Sequence, residues 1–438
     1  MLGIIGLLLG FGFVIVAIYK GWSLPIVMIL GSIIVVLFNG IPLTDAFATM
    51  LEGLGTMCRI YAPIYLFSCI LATLYINSGA GISMSQGLLG LFGKNRSPKS
   101  QRRIAVIVIL LVGALICWSV DSFLLHAGIA ICLMAITNIP RKYVVAFAMS
   151  ASTIAVSLPG HMSLNNLFDN FIAGDRLSAF WPGLIGGIFV FVGSVVIICR
   201  DIERDVAKGA VFDYGPLKPE EGSENAPKPL PILGAIPLIL MITLYLVFGI
   251  DAWIVLALGA IVAYILFAKS LCQRTGKNVV ETLKATLNEG VQMAGMPIVM
   301  IFNSTFGYAV GMTSAVSSIA TGFLSLPGHP LIAYALMSTV TIGLANSSAG
   351  VVTCCLIAQE YFANLIDPGA LRLITISAST ILDSLPTNLC IVAVAAWGGL
   401  TVKESYPTVF KTTVVVTTLK MVLMIALLIL FPGLSASL

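Results

Sequence analysis

Charge is what this sequence has least of. Lys, Arg, Asp and Glu together make up 10% of the 438 residues, whereas a soluble domain usually carries about 25%. Apolar residues make up 58% of the chain, and the mean hydropathy is +1.04. Because so few charged side chains cannot cover a water-facing surface, the composition excludes a soluble enzyme, a DNA-binding protein and a secreted disulfide scaffold. It predicts an all-α, polytopic membrane protein.

Several motifs are also missing. The chain has no GxxxxGK[ST] sequence, which disfavours an ATP-driven pump. It has no HExxH motif, and its aspartates lack the YD and GxGD contexts of an intramembrane aspartyl protease, so we expect no enzymatic activity. The nine cysteines form no CxxC pair and are predicted to pack as thiols, so no metal or other cofactor is expected. The net charge of +4 is too small and scattered to indicate nucleic acid as a partner.

The chain repeats itself. Residues 150–159 read SASTIAVSLP and residues 377–386 read SASTILDSLP, with eight of ten positions identical. A second match lies upstream in both copies, ATMLEG at 48–53 and ATLNEG at 285–290. Because the matches occur in the same order at similar offsets, they indicate one long duplication.

A charged, proline-rich stretch separates the two copies. Residues 200–229 hold twelve charged side chains and four prolines, which is typical of a solvated linker. The predicted organisation is therefore a first repeat at 1–199, a linker at 200–229 and a second repeat at 230–438.

The distribution of basic residues indicates how the repeats cross the membrane. In the first repeat, the apolar segments 104–119 and 123–137 form either two spans or one re-entrant hairpin, and basic residues on both flanks favour the hairpin. We predict five crossings, one such hairpin and one broken helix in each repeat. An odd number of crossings inverts the second repeat. This arrangement places the linker in the cytoplasm and the protein in the cell inner membrane.

Inverted repeats with hairpins and broken helices are typical of secondary transporters, whose binding site lies where the breaks converge. Asp121 lies at the predicted tip of the first hairpin, and Asp383 lies one residue before the predicted second break. A carboxylate placed inside a membrane is costly and usually functional, so both are candidates for coupling to protons or another cation. The alternative is that they cap helices.

Polar residues at the same tips and breaks are candidates for binding the substrate. Their hydroxyl, amide and imidazole groups and the exposed backbone N–H groups suit a small carboxylate with hydroxyl groups, although close helix packing is the alternative. The candidates are Ser122, Ser157, His161, Asn346, Ser347, Ser348, Thr387 and Asn388. Asn303 is predicted to pack, because its counterpart in the first repeat lacks an amide. Lys420 is the one basic residue expected near the membrane centre, which favours a substrate with a single carboxylate.

At three of these stretches the chain resembles the gluconate:proton symporter (GntP) family of the ion transporter superfamily. The stretches are SVDSF at 119–123, SLPGH at 157–161 and GLTVKE at 399–404. The resemblance implies proton-driven uptake of a small organic acid anion, such as gluconate or another sugar acid or hydroxy acid. It also implies an elevator-like movement and a homodimer. The second break reads LDSLPTN, where gluconate carriers show a His/Asn/Asp/Ser cluster, so the identity of the acid stays open.

Two related functions also stay open at this point. Serine, threonine, asparagine and carbonyl oxygens suit sodium as well as a proton-linked substrate, so a sodium-coupled carboxylate symporter is one alternative. A cation/proton antiporter of the same superfamily is the other, and it needs no organic anion.

Overall fold

The structure is a computed structural model, and it describes residues 2–92, 96–158, 168–169, 171–172, 174–175, 177–217, 226–345 and 347–436. These residues form helices joined by turns and contain no strand. The prediction of an all-α protein is therefore confirmed.

The first half of the chain contains eight described helices. They are α1 (Leu2–Tyr19), α2 (Leu24–Phe38), α3 (Leu43–Asn77), α4 (Ala80–Phe92), α5 (Pro98–Val120), α6 (Phe123–Thr137), α7 (Val144–Ser157) and α8 (Phe180–Val206).

The second half contains eleven described helices. They are α9 (Pro231–Phe248), α10 (Ala252–Thr275), α11 (Val279–Val299), α12 (Ser304–Gly311), α13 (Ser314–Gly322), α14 (Pro330–Ala345), α15 (Ser347–Ile357), α16 (Pro368–Ala378), α17 (Leu389–Trp397), α18 (Val402–Val409) and α19 (Val416–Leu430). A 3₁₀ turn at Met300–Asn303 joins α11 to α12, and a π-helical turn at Phe410–Val415 joins α18 to α19.

The helices follow the same order in both halves. Each half begins with two helices, continues with a helix of more than 30 residues and a short helix, and then forms a hairpin. The two long helices, α3 and the joined α11–α12, pack against each other, and Asn77 Nδ2 donates a hydrogen bond of 2.6 Å to Glu289 Oε2. The shared order agrees with the predicted duplication, whereas the inversion of the second repeat stays a prediction.

Both predicted hairpins are present as pairs of antiparallel helices. In the first, His126 on α6 reaches back to α5, where its Nε2 lies 3.1 Å from the Ile109 carbonyl oxygen. In the second, Cys354 on α15 reaches back to the Ser338 carbonyl oxygen of α14. The arms α6, α14 and α15 have 15, 16 and 11 residues, fewer than the ~20 that a span needs. The arm α5 has 23 residues and is long enough to cross, so re-entrance stays a prediction.

The number of long apolar helices confirms the prediction of a polytopic membrane protein. Eight described helices are long and apolar enough to cross a membrane, and a ninth candidate is the bent pair Pro368–Ser384 and Leu389–Trp397. One of the eight is the hairpin arm α5, so the predicted ten crossings consist of the other seven, the bent pair, α2 with its 15 residues, and the first broken helix, part of which lies outside the described residues.

The first residues of the charged stretch at 200–229 are helical and partly buried, unlike those of a fully solvated linker. Helix α8 continues to Val206 and buries Asp201 and Asp205. The Asp201 carboxylate lies 2.7 Å from Lys411 Nζ, and Lys142 Nζ lies 2.5 Å from Asp205. These two aspartates can be buried because each pairs with a lysine from a distant part of the chain.

Candidate functional site

The second helix break lies between α16 and α17 and comprises residues 379–388. The helices on its two sides meet at 53°. Helix α16 ends at Ala378, and a 3₁₀ turn at Leu382–Ser384 follows. Pro386 prevents the helix from continuing, because proline has no N–H to donate and disfavours helix in the residue before it. Helical structure resumes at Leu389.

Asn388 organises the second break. Its side-chain oxygen caps α17 by accepting hydrogen bonds from the backbone N–H groups of Cys390 and Ile391, at 2.8 and 3.1 Å. Its side-chain nitrogen donates a bond of 2.8 Å to Asp383 Oδ2. Asp383 is 6% exposed and lies inside the break rather than before it, because α16 ends five residues earlier than the carboxylate. The break therefore holds a buried carboxylate in a fixed position.

Asn303 also belongs to the second break, although its pattern in the sequence predicts packing. It ends the 3₁₀ turn that joins α11 to α12, and it is 1% exposed. Its side-chain amide donates a hydrogen bond to the backbone carbonyl of Thr387. The signal in the sequence was an amide in the middle of a predicted span. A comparison of the repeats missed it because the first repeat has no amide at that position.

The first helix break begins where α7 ends at Ser157. The next residue, Leu158, has an extended backbone with ψ of 135°. The Ser157 hydroxyl donates to the Thr153 carbonyl oxygen at 2.8 Å and accepts a bond of 3.1 Å from Lys420 Nζ. Lys420 is fully buried. The candidate His161 lies outside the described residues.

The tip of the first hairpin consists of Asp121 and Ser122. Asp121 adopts a left-handed backbone with φ of 49°, a conformation that costs free energy for a residue other than glycine. Ser122 caps α6 by accepting a bond of 3.2 Å from the Leu125 N–H, and its hydroxyl also lies 2.6 Å from the hydroxyl of Ser68 on α3. The N-terminal caps of α6 and α17 are therefore Ser122 and Asn388 rather than the aspartates, whereas Asp121 is the C-terminal cap residue of α5.

The first hairpin tip and the second break share one region of the protein. Cys390, in the first turn of α17, lies within electrostatic range of both Asp121 and Asp383. Tyr65 on α3 lies within range of Asp121 and Cys390, and its ring packs edge-on against Phe123 with centroids 5.4 Å apart. The Tyr65 hydroxyl is buried without a hydrogen-bond partner among the described residues. The two candidate carboxylates are thus neighbours of the same side chain.

Helix α19 connects the two breaks. Thr417 donates a bond of 3.2 Å to the Thr380 carbonyl oxygen in the second break, and Lys420 donates to Ser157 at the first. Residues three apart lie on the same helix face, so one face of α19 contacts both breaks.

Helix α14 of the second hairpin packs closely against the second break. A Cβ atom added at Gly343, near the end of α14, would lie 2.4 Å from Leu382 Cβ. The tip itself begins at Asn346, which lies outside the described residues, as do the side chains of Ser347 and Ser348. In the part of the chain that is described, no group of three metal-ligating side chains occurs.

Comparison with known proteins relates this chain to a transporter. No family model matches the chain. A protein of Bacillus subtilis (strain 168), named "Uncharacterized transporter YxjC", is 24% identical over 481 aligned residues, which cover 94% of this chain and 96% of that protein. The chain is a full-length relative of a transporter.

A solved structure was also found, that of the YdaH transporter of Alcanivorax borkumensis. It is 13% identical, with 90% of each chain covered and a TM-score of 0.38. Together with the apolar helices, the Bacillus relative supports a membrane transporter, and a protein of that kind fits the absence of enzyme motifs.

Proposed function

We propose that the protein is a secondary active transporter that takes up a small organic acid anion together with protons. The observation that carries this proposal is the Lys420 ammonium group, which is fully buried at the first break beside the Ser157 hydroxyl. A buried charge is costly unless an opposite charge pairs with it. A substrate carboxylate would supply that charge through charge-assisted hydrogen bonds.

The remaining candidates fit a substrate with hydroxyl groups. Ser157, Thr387 and Asn388 lie at the two breaks that α19 connects. We propose that they bind the substrate together with Ser122, His161, Asn346, Ser347 and Ser348. Lys420 is the one lysine that is buried among the described residues, and one lysine matches one carboxylate, which favours gluconate or another sugar acid or hydroxy acid and supports GntP-like transport.

Asp121 and Asp383 are the proposed coupling groups. The N-terminal caps of the helices that follow them are made by Ser122 and Asn388, so neither carboxylate is needed to cap α6 or α17. Both interact electrostatically with Cys390, and we propose that they titrate as a coupled pair. In the proposed cycle, protonation of this pair accompanies substrate binding, and release on the other side of the membrane reverses it.

Alternating access requires the breaks and hairpins to move relative to the long helices. We propose an elevator-type movement of the two hairpins with the broken helices, within two inverted repeats in the cell inner membrane and with a cytoplasmic linker. A homodimer is the proposed assembly.

Sodium coupling is the second candidate, because the second break brings a carboxylate, an amide and a carbonyl together, and such oxygen ligands suit a hard cation. However, the Asn388 side-chain oxygen already accepts two backbone N–H groups, and the Thr387 carbonyl oxygen accepts from Asn303. Fewer lone pairs therefore remain for a metal ion, which favours protons.

The test is uptake of labelled gluconate and a panel of other small carboxylates into proteoliposomes. Separate preparations carry a proton gradient, a sodium gradient or neither. We expect accumulation of at least one monocarboxylate with the proton gradient alone. Unchanged accumulation after collapse of the proton gradient would reject proton coupling. If the protein takes up no carboxylate but exchanges cations for protons, the antiporter is favoured.

Asp121→Asn tests the first of the coupling groups. We expect this variant to insert normally but to lose concentrative uptake. Asp251→Asn is the matched control, because Asp251 is exposed and its side chain caps no helix. Wild-type accumulation by Asp121→Asn would refute the role of this carboxylate.

A further inference from the structure

A cleft of about 500 Å³ lies between α5 and α8, away from the two breaks. Its walls come from Lys99, Arg103 and Ile107 on α5 and from Val195, Val196 and Arg200 on α8. The transport site uses none of these residues. The cleft opens on the outer surface of the protein, where Val196 is 60% exposed and Ile107 is 37% exposed.

The cleft changes from basic to apolar along both helices. Lys99, Arg103 and Ile107 are spaced four apart on α5, so they follow one another along one face. Val196 and Arg200 are likewise four apart on α8. Both helices are long and apolar enough to cross a membrane, so their exposed apolar side chains face lipid tails. The basic side chains lie at the ends of these apolar surfaces, at the level of lipid headgroups.

The charge of the cleft is positive. Glu203 is the one carboxylate among the residues that line it, and Arg102 holds that carboxylate through two hydrogen bonds of 2.7 and 2.8 Å. This pair also fixes α5 against α8 at the base of the cleft. Among the described residues, no carboxylate lies within ion-pair distance of Lys99, Arg103 or Arg200, and all three are exposed.

We propose that this cleft binds an anionic phospholipid. Lys99, Arg103 and Arg200 bind the phosphate of the headgroup, and an acyl chain lies along Ile107 and Val196. A site that is basic at one end and apolar at the other matches both parts of such a lipid, whereas inorganic phosphate would use only the basic end. Basic pockets between membrane helices are suited to such headgroups.

The test uses purified full-length protein in detergent with added phosphatidylglycerol, phosphatidylcholine or inorganic phosphate. We expect phosphatidylglycerol alone to raise the thermal unfolding temperature, by about 2–5 °C. The triple variant Lys99→Gln, Arg103→Gln and Arg200→Gln should lose this increase. The matched control, Lys269→Gln, Lys284→Gln and Lys403→Gln, removes three exposed charges elsewhere and should keep it.

Native mass spectrometry provides a second readout, in which the wild type should retain one phosphatidylglycerol that the triple variant loses. Val196→Trp obstructs the acyl path without changing charge, so it should reduce the effect of the lipid even if the triple variant folds poorly. The proposal is overturned if phosphatidylcholine or phosphate stabilises the protein equally. It is also overturned if the triple variant and its control behave alike, or if Val196→Trp has no effect.

Discussion

The repeated stretches that contain the starts of the two helix breaks share eight of ten residues, yet side chains of opposite charge type lie at the two breaks. At the first, Ser157 contacts the ammonium group of Lys420. At the second, Asp383 supplies a carboxylate, whereas the residue at the same place in the first repeat is Val156. The proposed transport of an anion together with a proton needs one site for each charge. Under that proposal the carboxylate comes from a substitution inside the repeated stretch, Val156 in one copy and Asp383 in the other, whereas the basic side chain comes from α19.

The backbones of the breaks differ as well. In the first repeat, the helix continues through Ser157, and the hydroxyls of Thr153 and Ser157 bond to carbonyls four residues earlier. In the second, the helix ends at Ala378, and the hydroxyl of Thr380, the counterpart of Thr153, bonds to the carbonyl three residues earlier. The serines behave alike, because Ser384, the counterpart of Ser157, also bonds to the carbonyl four residues earlier. The backbones therefore diverge at the threonines, before the prolines are reached.

The largest expected effect comes from removing the positive charge at the first break. Lys420→Gln should lower substrate affinity on the order of 100-fold, because a charge-assisted hydrogen bond contributes about 1.5–3 kcal/mol and the carboxylate would also lose its counter-charge. Uptake into proteoliposomes measures the effect. Lys403→Gln, on the exposed surface of α18, is the control. Uptake equal to the wild type would mean that Lys420 is structural.

Removing the negative charge at the second break should have a different effect. Asp383→Asn should abolish accumulation against a gradient, about a tenfold loss or more, because a neutral amide cannot exchange a proton at neutral pH. Exchange of labelled for unlabelled substrate needs no net proton movement and should continue. A variant that still accumulates substrate would exclude Asp383 from coupling.

The two roles of Asn388 can be separated. Asn388→Ser keeps an oxygen to cap α17 but removes the amide bond to Asp383, so it should lower transport about tenfold with little change in thermal stability. Asn388→Ala also removes the cap and should cost about 1 kcal/mol of stability. Measurements of thermal unfolding and of uptake on both variants separate the capping role from the role in transport. Identical stability of the two variants would show that the cap is unimportant.

The smallest expected effect comes from substituting the equivalent serines of the two breaks, Ser157 and Ser384. Ser157→Ala removes the hydroxyl that contacts Lys420 and should raise KM about five- to tenfold, as expected for one hydrogen bond of about 1–1.5 kcal/mol. Ser384→Ala removes a hydroxyl that bonds to the Thr380 carbonyl oxygen and should change KM less than twofold. Equal changes in the two variants would mean that the breaks do not differ in function.

Hydropathy and repeated segments were enough to predict an all-α membrane protein, two hairpins and a helix break near Pro386, because these depend on local composition and proline. Contacts between distant residues were not predictable. The charged end of α8 looked solvated because the sequence does not show that Lys411 pairs with Asp201. Asn303 looked like a packing residue for the same reason, since its partner, the Thr387 carbonyl, lies 84 residues away.

Equilibrium binding of a labelled monocarboxylate, measured against pH for the wild type, Lys420→Gln and Asp383→Asn, tests the division of charge between the breaks most directly. We predict that wild-type affinity rises as the pH falls, that Lys420→Gln binds on the order of 100-fold more weakly at every pH, and that Asp383→Asn binds with its pH dependence reduced. Normal binding by Lys420→Gln, or an unchanged pH dependence in Asp383→Asn, would contradict this account.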